Sequence, residues 1–263
     1  MTPRKFVVVV VGLVGFVSAS AVTVSAGTPF GGDDPGFVPP DKVTAKCEDK
    51  LEQLRCKLFG CVFKCHQKAA DAAFNHVIPP FNEDGCETTC LNQALAGLTL
   101  LHCPACVNGT TVLTNDVAQL DATLGLTYCD GVPPLIDTTG DDPGAYVPTS
   151  AANLRCEDAI LKLRAVAMTA ACKCHKSKTL TFAPASEEAC ENKAIVKAFQ
   201  GYSKLFAANP QHGSVCQQST SMNPNCPTGG AFGVDASYVE NTCGQVYACS
   251  PSGAFLDSPA AGF

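Results

Sequence analysis

Cys61-Val62-Phe63-Lys64-Cys65, followed after twenty intervening residues by Cys86-Glu87-Thr88-Thr89-Cys90, decides the fold. Residues i and i+4 share one face of a helix, about one turn apart. Each Cys-x-x-x-Cys therefore points two thiols the same way. If the two segments are antiparallel helices, the cysteine nearer the turn on one faces the cysteine nearer the turn on the other. The spacing predicts an inner rung, Cys65–Cys86, and an outer rung, Cys61–Cys90. A degenerate copy lies about 109 residues downstream. There Cys174 and Cys190 keep the inner rung, and both outer positions are alanine, Ala170 and Ala194. The joint loss of the outer pair fits this pairing and no crossed one.

The other cysteines extend the ladder. Cys47 stands 18 residues before Cys65, five helical turns, and so shares its face. Its partner should lie a similar distance beyond Cys86, at Cys103 or Cys106, and Cys106 is the expected one. Cys156 stands 18 residues before Cys174. No cysteine occupies the matching position near 208, which leaves Cys216 as its expected partner. Cys56 and Cys172 fall on the opposite faces of their helices and must pair outside the hairpins.

The copy is more than a cysteine pattern. Asp33-Asp34-Pro35-Gly36 returns as Asp141-Asp142-Pro143-Gly144, and Cys47-Glu48-Asp49 returns as Cys156-Glu157-Asp158. Lys64-Cys65-His66 returns as Lys173-Cys174-His175, and Cys86-Glu87 as Cys190-Glu191. Four matches in one order indicate a tandem duplication. The fold class is mainly α: two tandem disulfide-stapled antiparallel hairpins, with irregular cysteine-containing connecting and C-terminal segments. Residues 27–138 form the first hairpin repeat with an acidic connector, and 139–263 the second with a cysteine-rich tail, read as two similar domains.

Capping signals set the helix limits. Asp41, after Pro39-Pro40, starts a helix running to about Phe74, which Ile78-Pro79-Pro80 breaks. Asn82 starts a second, ending near His102. Ser150 starts the third, which ends near Lys178, and Ser186 the fourth, which Asn209-Pro210 stops. Leu113 to Leu124 hold a short helix behind Asn115 or Asp116. The tail with Cys216, Cys226, Cys243 and Cys249 reads as irregular structure.

Residues 1–26 read as a secretory signal. Arg4 and Lys5 precede an apolar run from Phe6 to Val17, and Val24-Ser25-Ala26 is a small-residue cleavage site. All 17 cysteines lie beyond it. That density behind a signal implies an oxidising compartment, secreted or periplasmic, and a disulfide framework. An odd count leaves at least one thiol free, intermolecular or bound to something else. Without Arg4 and Lys5 the chain has 16 basic and 24 acidic residues. This balance argues against nucleic acid and anionic membrane as partners.

In its twin Cys-x-x-x-Cys motif, Cys61 to Cys65 and Cys86 to Cys90, the chain resembles the α-hairpinins and the small chaperones of the mitochondrial intermembrane space. The resemblance covers about 30 residues and implies a stapled hairpin. Members of those families bind proteins or inhibit enzymes, which implies another protein as partner. The repeated helix with its Lys-Cys-His step is also similar to cysteine-rich secreted bacterial helical proteins.

Other motifs admit a chemical reading and a plainer one. Cys61-x-x-x-Cys65-His66 is one residue too long for the usual c-type haem attachment C-x-x-C-H. His66 and His175 read as exposed polar residues beside a structural disulfide. Cys103-Pro104-Ala105-Cys106 has thiol-oxidoreductase spacing but follows a helix end, where the dipole disfavours a thiolate. Zinc on Cys103, Cys106 and tail cysteines is disfavoured in an oxidising compartment, and calcium on Asp137 to Asp142 lacks the regular acidic spacing and closing Glu of an EF-hand. Asn108-Gly109-Thr110 is a glycosylation sequon. No phosphate loop, catalytic motif, cofactor or organised metal set is evident. The expectation is a secreted, non-enzymatic helical protein with a structural or protein-binding role, the alternative being a c-type haem or thiol–disulfide redox carrier.

Overall fold

The computed structural model describes residues 39–101, 103–129, 131–132, 142, 144–176, 184–207, 216 and 230–249. The expected signal peptide, the linker motif at 33–38, residues 137–141 and Cys226 lie outside them. The described residues are mainly helical: α1 (Lys42–Phe74), α2 (Glu83–Thr99), α3 (Gly109–Ala122), α4 (Ala151–Lys176), α5 (Pro184–Phe206) and α6 (Gly230–Val246). A two-residue antiparallel pair, β1 (Gly131–Val132) with β2 (Val147–Pro148), closes the connector between α3 and α4.

Local chemistry sets the helix ends. Asp41 Oδ1 accepts from the Val43 and Thr44 N–H groups, both at 2.8 Å, and starts α1. Its 33 residues span roughly 50 Å at 1.5 Å per residue. His76, with φ 53°, turns the chain beyond it. Asn82 caps α2 by accepting from Gly85 N–H, with Glu83 and Asp84 in the first turn, where the helix dipole favours acids. Ser150 caps α4 through Asn153 N–H.

Three expectations are corrected. α3 starts at Gly109 behind Asn108, whose Oδ1 accepts from Thr111 N–H. Asn115 and Asp116 lie inside it, and Asp116 is wholly buried. α5 starts at Pro184, two residues before Ser186; proline suits a first helical position because the N–H it lacks would have no partner there. The tail is not irregular throughout, because 230–246 form α6.

α6 corresponds to α3. Asp116, Thr123 and Tyr128 return as Asp235, Thr242 and Tyr247, each 119 residues on. The duplicated unit is therefore three helices, not two. Each hairpin also repeats one close contact: a Cβ on Gly97 would lie 2.7 Å from Leu54, and one on Gly201 2.7 Å from Leu163.

The halves share one core. α1 packs on α4 as well as on α2 and α3, and α4 packs on α5 and α6. Leu51, Phe59 and Val62 of α1 meet Leu113 and Leu120 of α3, Leu161 and Met168 of α4, and Val239 of α6 in one cluster. A Cys56–Cys172 disulfide ties α1 to α4.

Buried polar contacts cross between the halves in reciprocal fashion. Arg55, wholly buried, donates to Asp116 at 2.9 and 3.1 Å, to Glu52 at 3.0 Å and to Thr242 Oγ1 of the other half at 2.6 Å. Arg164 donates to Asp235 at 2.8 Å and to Thr123 Oγ1 of the other half at 2.9 Å. Tyr128 donates to Asp158 at 2.7 Å, and Tyr247 to Asp49 at 3.3 Å. Each half completes the other's buried charges.

Candidate functional site

The disulfides place the ladder. Cys65 joins Cys86, Cys61 joins Cys90, Cys174 joins Cys190 and Cys156 joins Cys216. Cys47 joins Cys103 rather than Cys106. The cause is the end of α2 at Thr99, before the expected His102. Two tight turns, Leu101 N to Leu98 O and Cys103 N to Leu101 O, return Cys103 to the start of α1. Cys106 lies past that return and joins Cys249 at the end of the second half. Both thiols of the haem-like motif are thus in disulfides, as are both of Cys103-Pro104-Ala105-Cys106.

His66 and His175 are not exposed: both side chains are 0% accessible. The inner rungs explain the company they keep. In an antiparallel pair the residue after each bridged cysteine rotates about 100° to the same side of the hairpin. The Cys65–Cys86 rung therefore brings His66 and Glu87 together, and the Cys174–Cys190 rung does the same for His175 and Glu191. Nε2 of His66 lies 2.5 Å from Glu87 Oε1, and Nε2 of His175 lies 2.6 Å from Glu191 Oε1. The repeated Cys-His and Cys-Glu steps were the sequence signal for this contact.

Around His66 stand three more carboxylates, two from the first half and Asp142 from the start of the second. Asp121, near the C-terminus of α3, approaches Nε2 at 3.3 Å, and Glu83, from the first turn of α2, approaches it at 4.0 Å. Asp142 enters from the connector, which β1 and β2 pin at its base and which Gly144 turns at φ +77° just beyond. Glu83, Glu87, Asp121 and Asp142 are each at most 8% accessible. Glu83 and Asp142 share a hydrogen bond between their carboxyls, and no nitrogen or hydroxyl donor reaches either oxygen of Glu83, although both are buried.

Donor atoms of His66, Glu83 and Glu87 lie within 4.8 Å of one another, as do those of His66, Asp121 and Asp142. Ligands opposite each other on a divalent cation are separated by roughly 4–5 Å, twice a bond of about 2.0–2.6 Å. Each of the two sets, which share His66, therefore has the dimensions of part of a single cation's coordination shell. Asp142 belongs to the segment considered for calcium, but its companions come from α1, α2 and α3, which no local spacing could reveal.

Protonation reflects the crowding of charge. Burial lifts Glu83 to about 9 against the pull of His66, and lifts Asp142 to about 7 in the same way. At His66 burial opposes the charged form, but hydrogen bonds to Asp121 and Glu87 outweigh it and raise the imidazole to about 10. The cage without a metal holds protons that a cation would displace. No family model, curated protein or solved structure matches this chain.

Proposed function

We propose that this chain is an exported, disulfide-stapled helical protein that holds a divalent cation in the cage of His66, Glu83, Glu87, Asp121 and Asp142. Its role is structural or protein-binding rather than enzymatic. The disulfides fit an oxidising compartment. The carrying observation is Glu83, 5% accessible, which no nitrogen or hydroxyl donor reaches and whose carboxyl shares a proton with Asp142, beside two further carboxylates and one imidazole. Buried carboxylates without donors cost several kcal/mol unless a proton or a metal answers them. One nitrogen with several oxygens suits a cation between the hard and borderline classes, such as Mn2+.

A protein-binding role finds support at the first hairpin turn. Ile78 and Val77, 91% and 50% accessible, stand beside a hollow of about 270 Å³ lined by Ala69, Ala73 and Phe81. An acidic, rigid scaffold with one apolar end suits that role better than electron or thiol transfer, since the thiols such carriers need are in disulfides.

The test is calorimetric titration of Mn2+ into the chelator-treated mature protein. One equivalent bound by the wild type, with affinity cut at least tenfold in Glu83→Gln, supports the reading. Failure of the wild type to bind would leave the cage a proton-sharing network and reject it.

A further inference from the structure

The charge balance of the sequence counts carboxylates that the fold hides. Ten Asp and Glu side chains are buried, against two arginines. Among the residues whose exposure is described, twelve Lys and Arg side chains reach the surface fully or in part, and only six Asp and Glu do. Half of those cations stand on α1. Lys42, Lys46, Lys50, Lys57, Lys64 and Lys68 recur at intervals of four and seven. At 3.6 residues per turn they fall within about 80° of one another, in a single row roughly 39 Å long. Five are exposed and Lys50 is half-buried. Lys50 donates to Gln53 at 3.4 Å, and among the described residues none of the six makes an ion pair. Asp49 and Asp71 border the row, and the Tyr247 hydroxyl donates to Asp49 at 3.3 Å.

The row follows a furrow. A hollow of about 480 Å³ is lined by Lys42, Lys46, Lys50 and Gln53, and one of about 320 Å³ between α1 and α2 by Lys50, Lys57, Gln93 and Gly97. Beyond Glu87, α2 carries no charged residue, so that side of the furrow neutralises nothing. The second half keeps a cation at only two of the six matching positions, Arg155 and Lys173; the others are Ala151, Ala159, Val166 and Ser177. A row needed only for solubility would serve both hairpins alike.

We infer that this furrow binds a linear acidic polysaccharide, with its carboxylate or sulfate groups along the lysines. Charge complementarity calls for a polyanion, and a long row one side chain wide calls for an extended one. Gln53 and Gln93 add amide donors and acceptors suited to sugar hydroxyls. No aromatic side chain is among those lining either hollow, so the bases of a single-stranded nucleic acid would have nothing to stack on. The row holds Lys and no Arg, point charges without the planar fork that suits phosphate. A furrow also embraces one chain more closely than a flat bilayer.

The test uses the full mature chain in EDTA, which keeps the binding independent of the Mn2+ cage. Labelled polygalacturonate supplies carboxylates and labelled heparin supplies sulfates, and affinity for each is read by fluorescence anisotropy. The expected result is salt-reversible binding of one or both, which names the anion. Lys46→Gln with Lys50→Gln and Lys57→Gln should weaken it at least tenfold. Lys193→Gln with Lys197→Gln and Lys204→Gln removes the same charge from α5 and should change it less than twofold, both triple variants keeping native circular dichroism. A wild type that binds neither polymer overturns the inference, as does equal weakening in the two variants. Equal or tighter binding of oligothymidylate or phosphatidylglycerol vesicles overturns the choice of a polysaccharide.

Discussion

The two halves descend from one pattern and keep different parts of it. The first half has two rungs, Cys65–Cys86 and Cys61–Cys90; the second has only Cys174–Cys190, with Ala170 and Ala194 at the outer positions. What both retain is the rung adjoining a histidine and a glutamate. The outer rung is a staple that a shared core can replace. The inner rung is also a jig, because it alone sets His66 against Glu87 and His175 against Glu191. The halves differ again in their arginines: Arg55 faces two carboxylates, Glu52 and Asp116, while Arg164 faces Asp235 and hydroxyl or carbonyl oxygens of Thr123 and Thr127.

The largest effect should come from that last difference. Arg164→Met strands one buried carboxylate and Arg55→Met strands two. Breaking a buried ion pair costs about 3–5 kcal/mol, and Arg55→Met should lie at the upper end or beyond it. Urea unfolding at pH 7 reads both, and equal losses would show that Glu52 is sustained by His175 instead.

Next come the rungs. Cys61→Ala with Cys90→Ala, which imitates the second half, should cost roughly 2–4 kcal/mol and spare Mn2+ affinity. Cys65→Ala with Cys86→Ala should cost a similar amount and also weaken Mn2+ binding by tenfold or more. Equal metal affinity in the two double variants would remove the distinction between staple and jig.

The smallest effect is a slope. Burial lifts Glu48 of the first half to about 8, against the Cys249 N–H at the end of the second half, which it accepts at 3.1 Å. Its folded value lies above the ordinary 4.5, so the native state holds the extra proton between the two. The stability this lends is whole below about pH 4.5 and is lost as pH rises through about 8. Glu48→Gln should flatten the fall in melting temperature between those limits, and an unchanged slope would assign it to other groups.

Much of the framework was legible because it is periodic. The rungs, the Asp41, Asn82 and Ser150 caps and the duplication all rest on spacings of one to five turns within single helices. The third helix of the first unit was legible as Leu113 to Leu124, but its true start and its counterpart in the second unit escaped, because Gly, Thr, Ser and Asn interrupt their apolar positions. Its matching residues, Asp116, Thr123 and Tyr128, are scattered singly rather than in a run. The burial of His66 and His175 escaped for another reason. A polar residue beside a disulfide is exposed on an isolated hairpin, and only the docking of α1 on α3 and α4 buries it. The cage needed four separate segments to meet, and no local pattern encodes such a meeting.

The Cys106–Cys249 bond spans 143 residues. Synthesis delivers Cys103 and Cys106 together, with two residues between them, long before Cys249 exists. An oxidising environment would trap whichever thiols meet first. Any pair formed early at Cys106 would have to reopen for the native bond to close, so oxidative refolding should yield more of the finished network with a thiol isomerase present.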